Sequence, residues 1–137
     1  MMLEYMLDTN TVIFVLKNKP EFLRKRFNEQ HGRLCISSVV LSELVYGAEN
    51  SAKVDANLRT IEGFAARLDV LPFDDSAAHH TGRIRAHLRR NGAPIGPYDA
   101  MIAGHGRSMG LTVVTNNVRE FERVPGLQVE DWTIGGR

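Results

Sequence analysis

The 137-residue sequence predicts an α/β domain: a short parallel sheet of about five strands, covered by helices on both faces. Three observations predict it. Five short apolar segments do not alternate with polar residues, as expected of strands buried on both faces. The stretches between them carry apolar residues at spacings of three and four, the repeat of a helix with one buried stripe. Composition is that of an ordinary globular domain, 43% hydrophobic and 24% charged, which excludes a mainly disordered chain. The length fits a single domain over residues 1–137.

The first strand reads as Leu3–Leu7, and Pro20 suits the first turn of a following helix. The second strand, Leu34–Ile36, leads into the helix-like segment Val39–Val45. Val54, Leu58, Ile61, Ala65 and Leu68 form one apolar stripe and precede a third strand, Asp69–Leu71. Asp74-Asp75-Ser76 suits a helix start, with an N-cap and acids on the helix dipole. Ala77, Thr81, Ile84 and Leu88 then form a second stripe, and Arg83, Arg85, Arg89 and Arg90 lie off it, so this helix is apolar inside and basic outside. Gly92 suits its end, Pro97 the start of the next helix, and Gly110 the end of that one. Leu111–Thr115 and Leu127–Val129 read as the last two strands.

No apolar run approaches the roughly 18 residues of a membrane span, and Met1-Met2-Leu3-Glu4 does not begin a signal peptide. A cytoplasmic protein with no membrane partner is expected. A single cysteine, Cys35, excludes an internal disulfide and a cysteine-based zinc site. The net charge of +1 hides two basic islands. Residues 17–33 hold six bases against two acids, and residues 83–107 hold five bases against Asp99 alone. Such islands suit a phosphate backbone, or are solvated helix faces.

In open α/β sheets the working residues gather beyond the carboxyl ends of the strands. Asp8 leaves the first strand there, Glu43 follows the second, Asp99 opens the helix after Pro97, and Thr115-Asn116-Asn117 follows the fourth strand. Each has an ordinary explanation by itself: a helix N-cap, a polar helix face, an acid on a helix dipole, a turn. Together they place carboxylates from distant parts of the chain at one sheet end. Two carboxylates about 5 Å apart repel by roughly 3 kcal/mol at an effective dielectric near 20. A cation would relieve this, and all-oxygen donors favour Mg²⁺ or Mn²⁺. These ions activate water and stabilise phosphoryl oxygens.

Leu7-Asp8-Thr9-Asn10, Ile36-Ser37-Ser38 leading to Glu43, Pro97-Tyr98-Asp99-Ala100-Met101-Ile102-Ala103, and Val114-Thr115-Asn116-Asn117 resemble the ordered motifs of PIN-domain ribonucleases. With its size and the stretch Leu44-Val45-Tyr46-Gly47-Ala48-Glu49, the chain is similar to VapC toxins of bacterial toxin–antitoxin pairs, from Leu3 to about Trp132. The resemblance implies a PIN-like fold and an endoribonuclease that uses Mg²⁺ or Mn²⁺ to activate water. It puts Asp8, Glu43 and Asp99 on the family's first three acidic positions, as metal ligands. The fourth is usually Asp and here is Asn117, which can ligate through its amide oxygen or orient water but adds no charge; Glu120 is the acid able to substitute. Thr9, Asn10, Ser38 and Thr115 are expected to line the site, and Arg85, Arg89, Lys25 and Arg26 to meet RNA backbone. The resemblance further implies a homodimer, a VapB-type antitoxin and a structured tRNA substrate. The missing fourth acid leaves one alternative, a catalytically weak PIN-like module that binds RNA or protein.

Two features read as structural. Gly104-His105-Gly106-Arg107 precedes a strand instead of following one, so it is a closely packed helix face and not a phosphate loop. His79, His80 and His87 lack further ligands at metal spacing and are expected at the solvent or core edge.

Overall fold

A computed structural model describes residues 2–134. Five parallel strands, β1 (Tyr5–Leu7), β2 (Leu34–Ser37), β3 (Asp69–Leu71), β4 (Thr112–Val114) and β5 (Gln128–Glu130), form one sheet in the order β3-β2-β1-β4-β5. Seven helices among the described residues connect them: α1 (Thr9–Lys17), α2 (Glu21–Glu29), α3 (Ser38–Glu49), α4 (Val54–Ala65), α5 (Asp75–Arg90), α6 (Pro97–Ser108) and α7 (Val118–Phe121). Successive residues of a strand face opposite ways. Met6 with Leu7, Cys35 with Ile36, and Val113 with Val114 are all fully buried, so both faces of the three central strands are covered. The non-alternating apolar runs have this cause.

The chain steps outward from β1 to β2 and β3, then crosses back to β4 and β5 on the other side of β1. The strand order reverses at β1 and β4, where an α/β sheet opens a crevice at its carboxyl edge. Side chains at that edge start the helices. Asp8 caps α1, Ser37 caps α3 and Asp74 caps α5, each accepting a hydrogen bond from a backbone N–H of the first turn. Pro97 occupies the first turn of α6, where its missing N–H costs nothing.

The glycines of α6 set how closely that helix lies. A Cβ on Gly104 would collide with Thr81 of α5, 2.8 Å from both its Cα and its backbone N, and one on Gly106 would stand 2.7 Å from Cγ2 of Val113 in β4. The small-residue run is thus a packing face against a helix and the sheet together. Differences from the sequence reading are local. The first, fourth and fifth strands are shorter or shifted by up to two residues. Leu68 lies beyond α4, which ends at Ala65; Arg67 N–H turns back to Phe64 O, and Leu68 packs on the core from the connection to β3.

Candidate active site

Asp8 is 3% exposed and lies between β1 and β4: its N–H donates to Val114 O (3.0 Å), and its Oδ1 accepts from Thr11 N–H (2.9 Å). It is a helix cap and a member of the acidic cluster at once. Burial pushes its carboxyl pKa up; hydrogen bonding from Thr115 and Thr11 favours the ionised form, and the Glu43 charge opposes it. Thr11 is fixed in turn, its hydroxyl donating to Val114 O (3.1 Å). Glu43 reaches in from α3, half-buried, and its Oε1 accepts from the Thr9 hydroxyl (2.6 Å).

Asp99 is the third residue of α6 and half-buried. Its carboxyl is pushed up to about 6, first by burial, then by the neighbouring Glu120 carboxyl, then by the charges of Asp8 and Glu43. The fourth carboxyl group is that of Glu120. Asn117 turns its amide nitrogen, not its oxygen, toward the acids: Nδ2 donates to Glu120 Oε2 (2.6 Å) and, more weakly, to Asp99 Oδ2 (3.5 Å). Asn117 N–H is held by Thr115 Oγ1 (2.9 Å). Of the other expected site-lining residues, Asn10 is exposed on the first turn of α1, whereas the Ser38 hydroxyl accepts from Phe73 N–H (3.0 Å) and ties α3 to the segment after β3.

Among the described residues the two ion pairs are Arg26–Glu130 and Arg33–Glu4, so none of these four acids is paired with a base. No three His, Cys, Asp or Glu side chains among the described residues stand close enough to form a ready-made metal cage. The expected cage of Asp8, Glu43 and Asp99 is therefore not pre-assembled. The donor set still fits a hard divalent cation, because Mg²⁺ keeps several waters and needs only one or two carboxylates. The neighbouring charges that add to burial in lifting Asp99 are what such a cation would neutralise.

The basic candidates separate. Arg85 and Arg89 are exposed on α5. Arg26 is committed elsewhere, paired with Glu130 (3.4 Å) and lying 4.8 Å over the Trp132 ring, which itself packs edge-on against Tyr5. It anchors the segment after β5, a contact that the sequence did not signal. Lys25 is exposed, but its surroundings include Glu21 and Glu29. Sequence reasoning also missed His105. It is fully buried, with Nδ1 2.8 Å from the Ser37 hydroxyl and its ring edge-on to Phe73, and burial pushes its pKa down. The flanking glycines were the signal: a histidine between two close-packing positions must be inside. His80 accepts from Arg107 Nε (3.0 Å) and His87 is exposed, both as expected.

The PIN domain family matches residues 5–127. The tRNA(fMet)-specific endonuclease VapC of Salmonella typhimurium is 62% identical over 131 residues, covering 96% of this chain and 99% of that protein. Ribonuclease VapC2 of Haemophilus influenzae (strain Rd) is 48% identical with the same coverage. In the crystal structure of DNA-bound VapBC from Salmonella typhimurium, a chain 62% identical to this one superposes with a TM-score of 0.92, over 96% of this chain and 99% of that one. VapBC2 of Rickettsia felis, bound to a promoter DNA fragment, gives 0.89 at 34% identity, with the same coverage.

The raised Asp99 carboxyl makes a pH prediction for the metal-free protein. With a folded pKa of about 6 against an ordinary 3.8, its stabilising effect is fully present below 3.8 and is lost as pH rises through 6. Asp99→Asn removes that loss. Measured by urea unfolding in EDTA, the variant should gain on the wild type from about pH 4 and level off above pH 6. The gain should be on the order of 1–2 kcal/mol once solvent screening of a half-buried group is allowed for. A stability difference that does not change with pH would contradict the electrostatic account.

Proposed function

The chain belongs to the PIN-domain family, among its VapC ribonucleases, and on that premise we propose that it cuts a tRNA at this acidic cluster, as the toxin of a toxin–antitoxin pair. The substrate is taken from the tRNA(fMet) named for the Salmonella relative. The observation that carries the reading is the charge imbalance: four carboxyl groups gather with no paired base among the described residues, and Asp99 is pushed up to about 6, first by burial and then by the charges of the other three.

Asp8, Asp99, Glu43 and Glu120 would hold Mg²⁺ or Mn²⁺. A bound ion of this kind activates a water and neutralises charge on the phosphoryl oxygens. Asp8 is the rigid member, fixed by burial and by Thr11. The Thr9 hydroxyl aims Glu43 from the first turn of the neighbouring helix. Asn117 aims Glu120 and keeps it beside Asp99 without adding a fifth charge. Arg85 and Arg89 supply exposed positive charge for the polyanionic backbone. A binding module without activity would gain nothing from unpaired acids beside phosphates.

A VapB-type antitoxin, as in the VapBC complexes of the relatives, would have an apolar groove to occupy here. A groove of about 500 Å³ runs between α1, α3 and α4, lined by Ile13, Leu16, Leu44, Gly47 and Ile61, and it includes Glu43. A VapB-type segment seated there would reach the catalytic acids. We place the protein in the cytoplasm, as a homodimer; no helix among the described residues is long and apolar enough to cross a membrane.

Purified protein should cut tRNA(fMet) with Mg²⁺ or Mn²⁺, stop in excess EDTA and resume when Mg²⁺ is restored. Glu120→Gln should slow single-turnover cleavage by about a hundredfold or more. Undiminished cutting in EDTA would overturn the reading. The groove has its own test, because a Cβ on Gly47 meets nothing within 4 Å. Gly47→Leu should hold or raise stability, by up to about 1 kcal/mol of helix propensity, while weakening capture of the antitoxin. Unchanged antitoxin affinity in this variant would remove the groove from the interface.

A further inference from the structure

We infer that the groove between the second half of α5 and residues 91–96 is a subsite for one unpaired nucleotide of the substrate, next to the scissile phosphate. Arg85 and Arg89 would hold its phosphate, and Pro94 and Ile95 the face of its base. The inference rests on the ribonuclease reading above and adds the feature of the substrate that this surface selects.

The groove encloses about 490 Å³ and is lined by Arg85, Ala86, Leu88, Arg89, Pro94 and Ile95. Its floor is apolar, its rim carries two guanidinium groups, and no acid lines it. Leu88 belongs to the inward stripe of α5, which turns Arg85 and Arg89 outward, four residues apart on one exposed face. Like charges at that spacing repel and slightly destabilise a helix. Neither arginine is in an ion pair among the described residues. A phosphate between them relieves the repulsion, so the charge favours a polyanion over an apolar peptide.

The floor is held in shape. Ala93 N–H donates to Leu88 O (2.9 Å), folding the loop back on the end of α5, and Arg123 Nη1 donates to Pro94 O (3.1 Å). The loop also leads directly into the acidic cluster. Gly96 caps α6 next to Ile95, and a Cβ built on Gly96 would stand 3.9 Å from Asp99 Oδ2. Ile95 of the groove lining thus stands four residues before Asp99 along the chain, which joins the groove to the helix that carries this acid. A base can lie flat on Pro94 and Ile95 only when it is free of a duplex, which is how RNA loops offer themselves to proteins. Guanidinium planes over apolar floors suit any base face, so the subsite selects for unpairedness more than for sequence.

The test measures binding in EDTA, where no cutting occurs, by fluorescence anisotropy of a labelled tRNA(fMet) fragment containing a loop. A single abasic nucleotide is scanned through the loop. For the wild type, one position should weaken binding roughly tenfold. Ile95→Ala should weaken the intact RNA comparably and lose little more on the abasic RNA, because both changes remove the same contact. Arg85→Ala with Arg89→Ala leaves the core untouched and should flatten the salt dependence, by about 0.7 in log–log slope for each arginine. No abasic position that matters, or losses that simply add, would overturn the subsite while leaving the ribonuclease reading in place. Wild-type protein that binds no RNA overturns both. An arginine variant that binds RNA normally but elutes as a monomer instead of a dimer overturns the subsite and makes this face a contact between copies of the chain.

Discussion

Four carboxyl groups, none paired with a base among the described residues, gather where the strand order of a parallel sheet reverses, and much of the structure is arranged to hold them there. Carboxylates that share a site repel one another, and Asp8 is nearly inaccessible to water. The fold meets this locally with donors instead of bases. Thr11 and Thr115 serve Asp8, Thr9 serves Glu43, and Asn117 serves Glu120 and Asp99. Neutral donors orient the acids without cancelling their charge, so the cluster keeps its attraction for a cation. An arginine in place of Asn117 would stabilise the metal-free protein and remove that attraction.

Delivery of the acids depends on close packing some distance from the chemistry. Asp99 sits on the first turn of a helix whose later turns carry Gly104 against Thr81 and Gly106 against Val113. Any side chain larger than hydrogen at Gly104 must push α6 off α5, and a shift there moves Asp99 relative to Asp8. The buried contact between His105 and Ser37 ties α6 to the cap of α3, the helix that bears Glu43. The two helices bearing Asp99 and Glu43 are thereby held to each other as well as to the sheet. Misplacement of a reacting group by about 1 Å can cost a hundredfold in rate, which gives these interior contacts a functional weight.

Much of this was legible in the chain. The five apolar runs gave the sheet because parallel strands are buried on both faces, and the reading of Gly104 to Arg107 as a packing face followed from its place before a strand. Asp8 and Glu43 stood out by their position after strands, and Asp99 by its place at the start of a helix after Pro97. The rest was hidden for physical reasons. Asp8 was weighed as a cap or as a member of the acidic cluster and is both, because the N-terminal turn of α1 and the sheet crevice are the same place. Asn117 was expected to ligate through its amide oxygen or to orient water; the direction of an amide is set by its neighbours, and here its nitrogen faces two carboxylates. Arg26 looked like a free cation because its partners, Glu130 and Trp132, lie more than a hundred residues away in sequence.

The central claim is that the cluster is held in a repulsive arrangement that a divalent cation relieves. Asp8→Asn tests it most directly, because asparagine caps a helix about as well as aspartate and only the charge is lost. Melting temperatures of wild type and variant should be compared without metal and with excess Mg²⁺. Binding at a hundred times Kd contributes about 2.7 kcal/mol, several degrees in a domain of this size. The account predicts that the variant melts at or above the wild type without metal and loses most of the Mg²⁺ shift. A variant that melts lower without metal and keeps the full Mg²⁺ shift would contradict it, and would leave Asp8 as a helix cap alone.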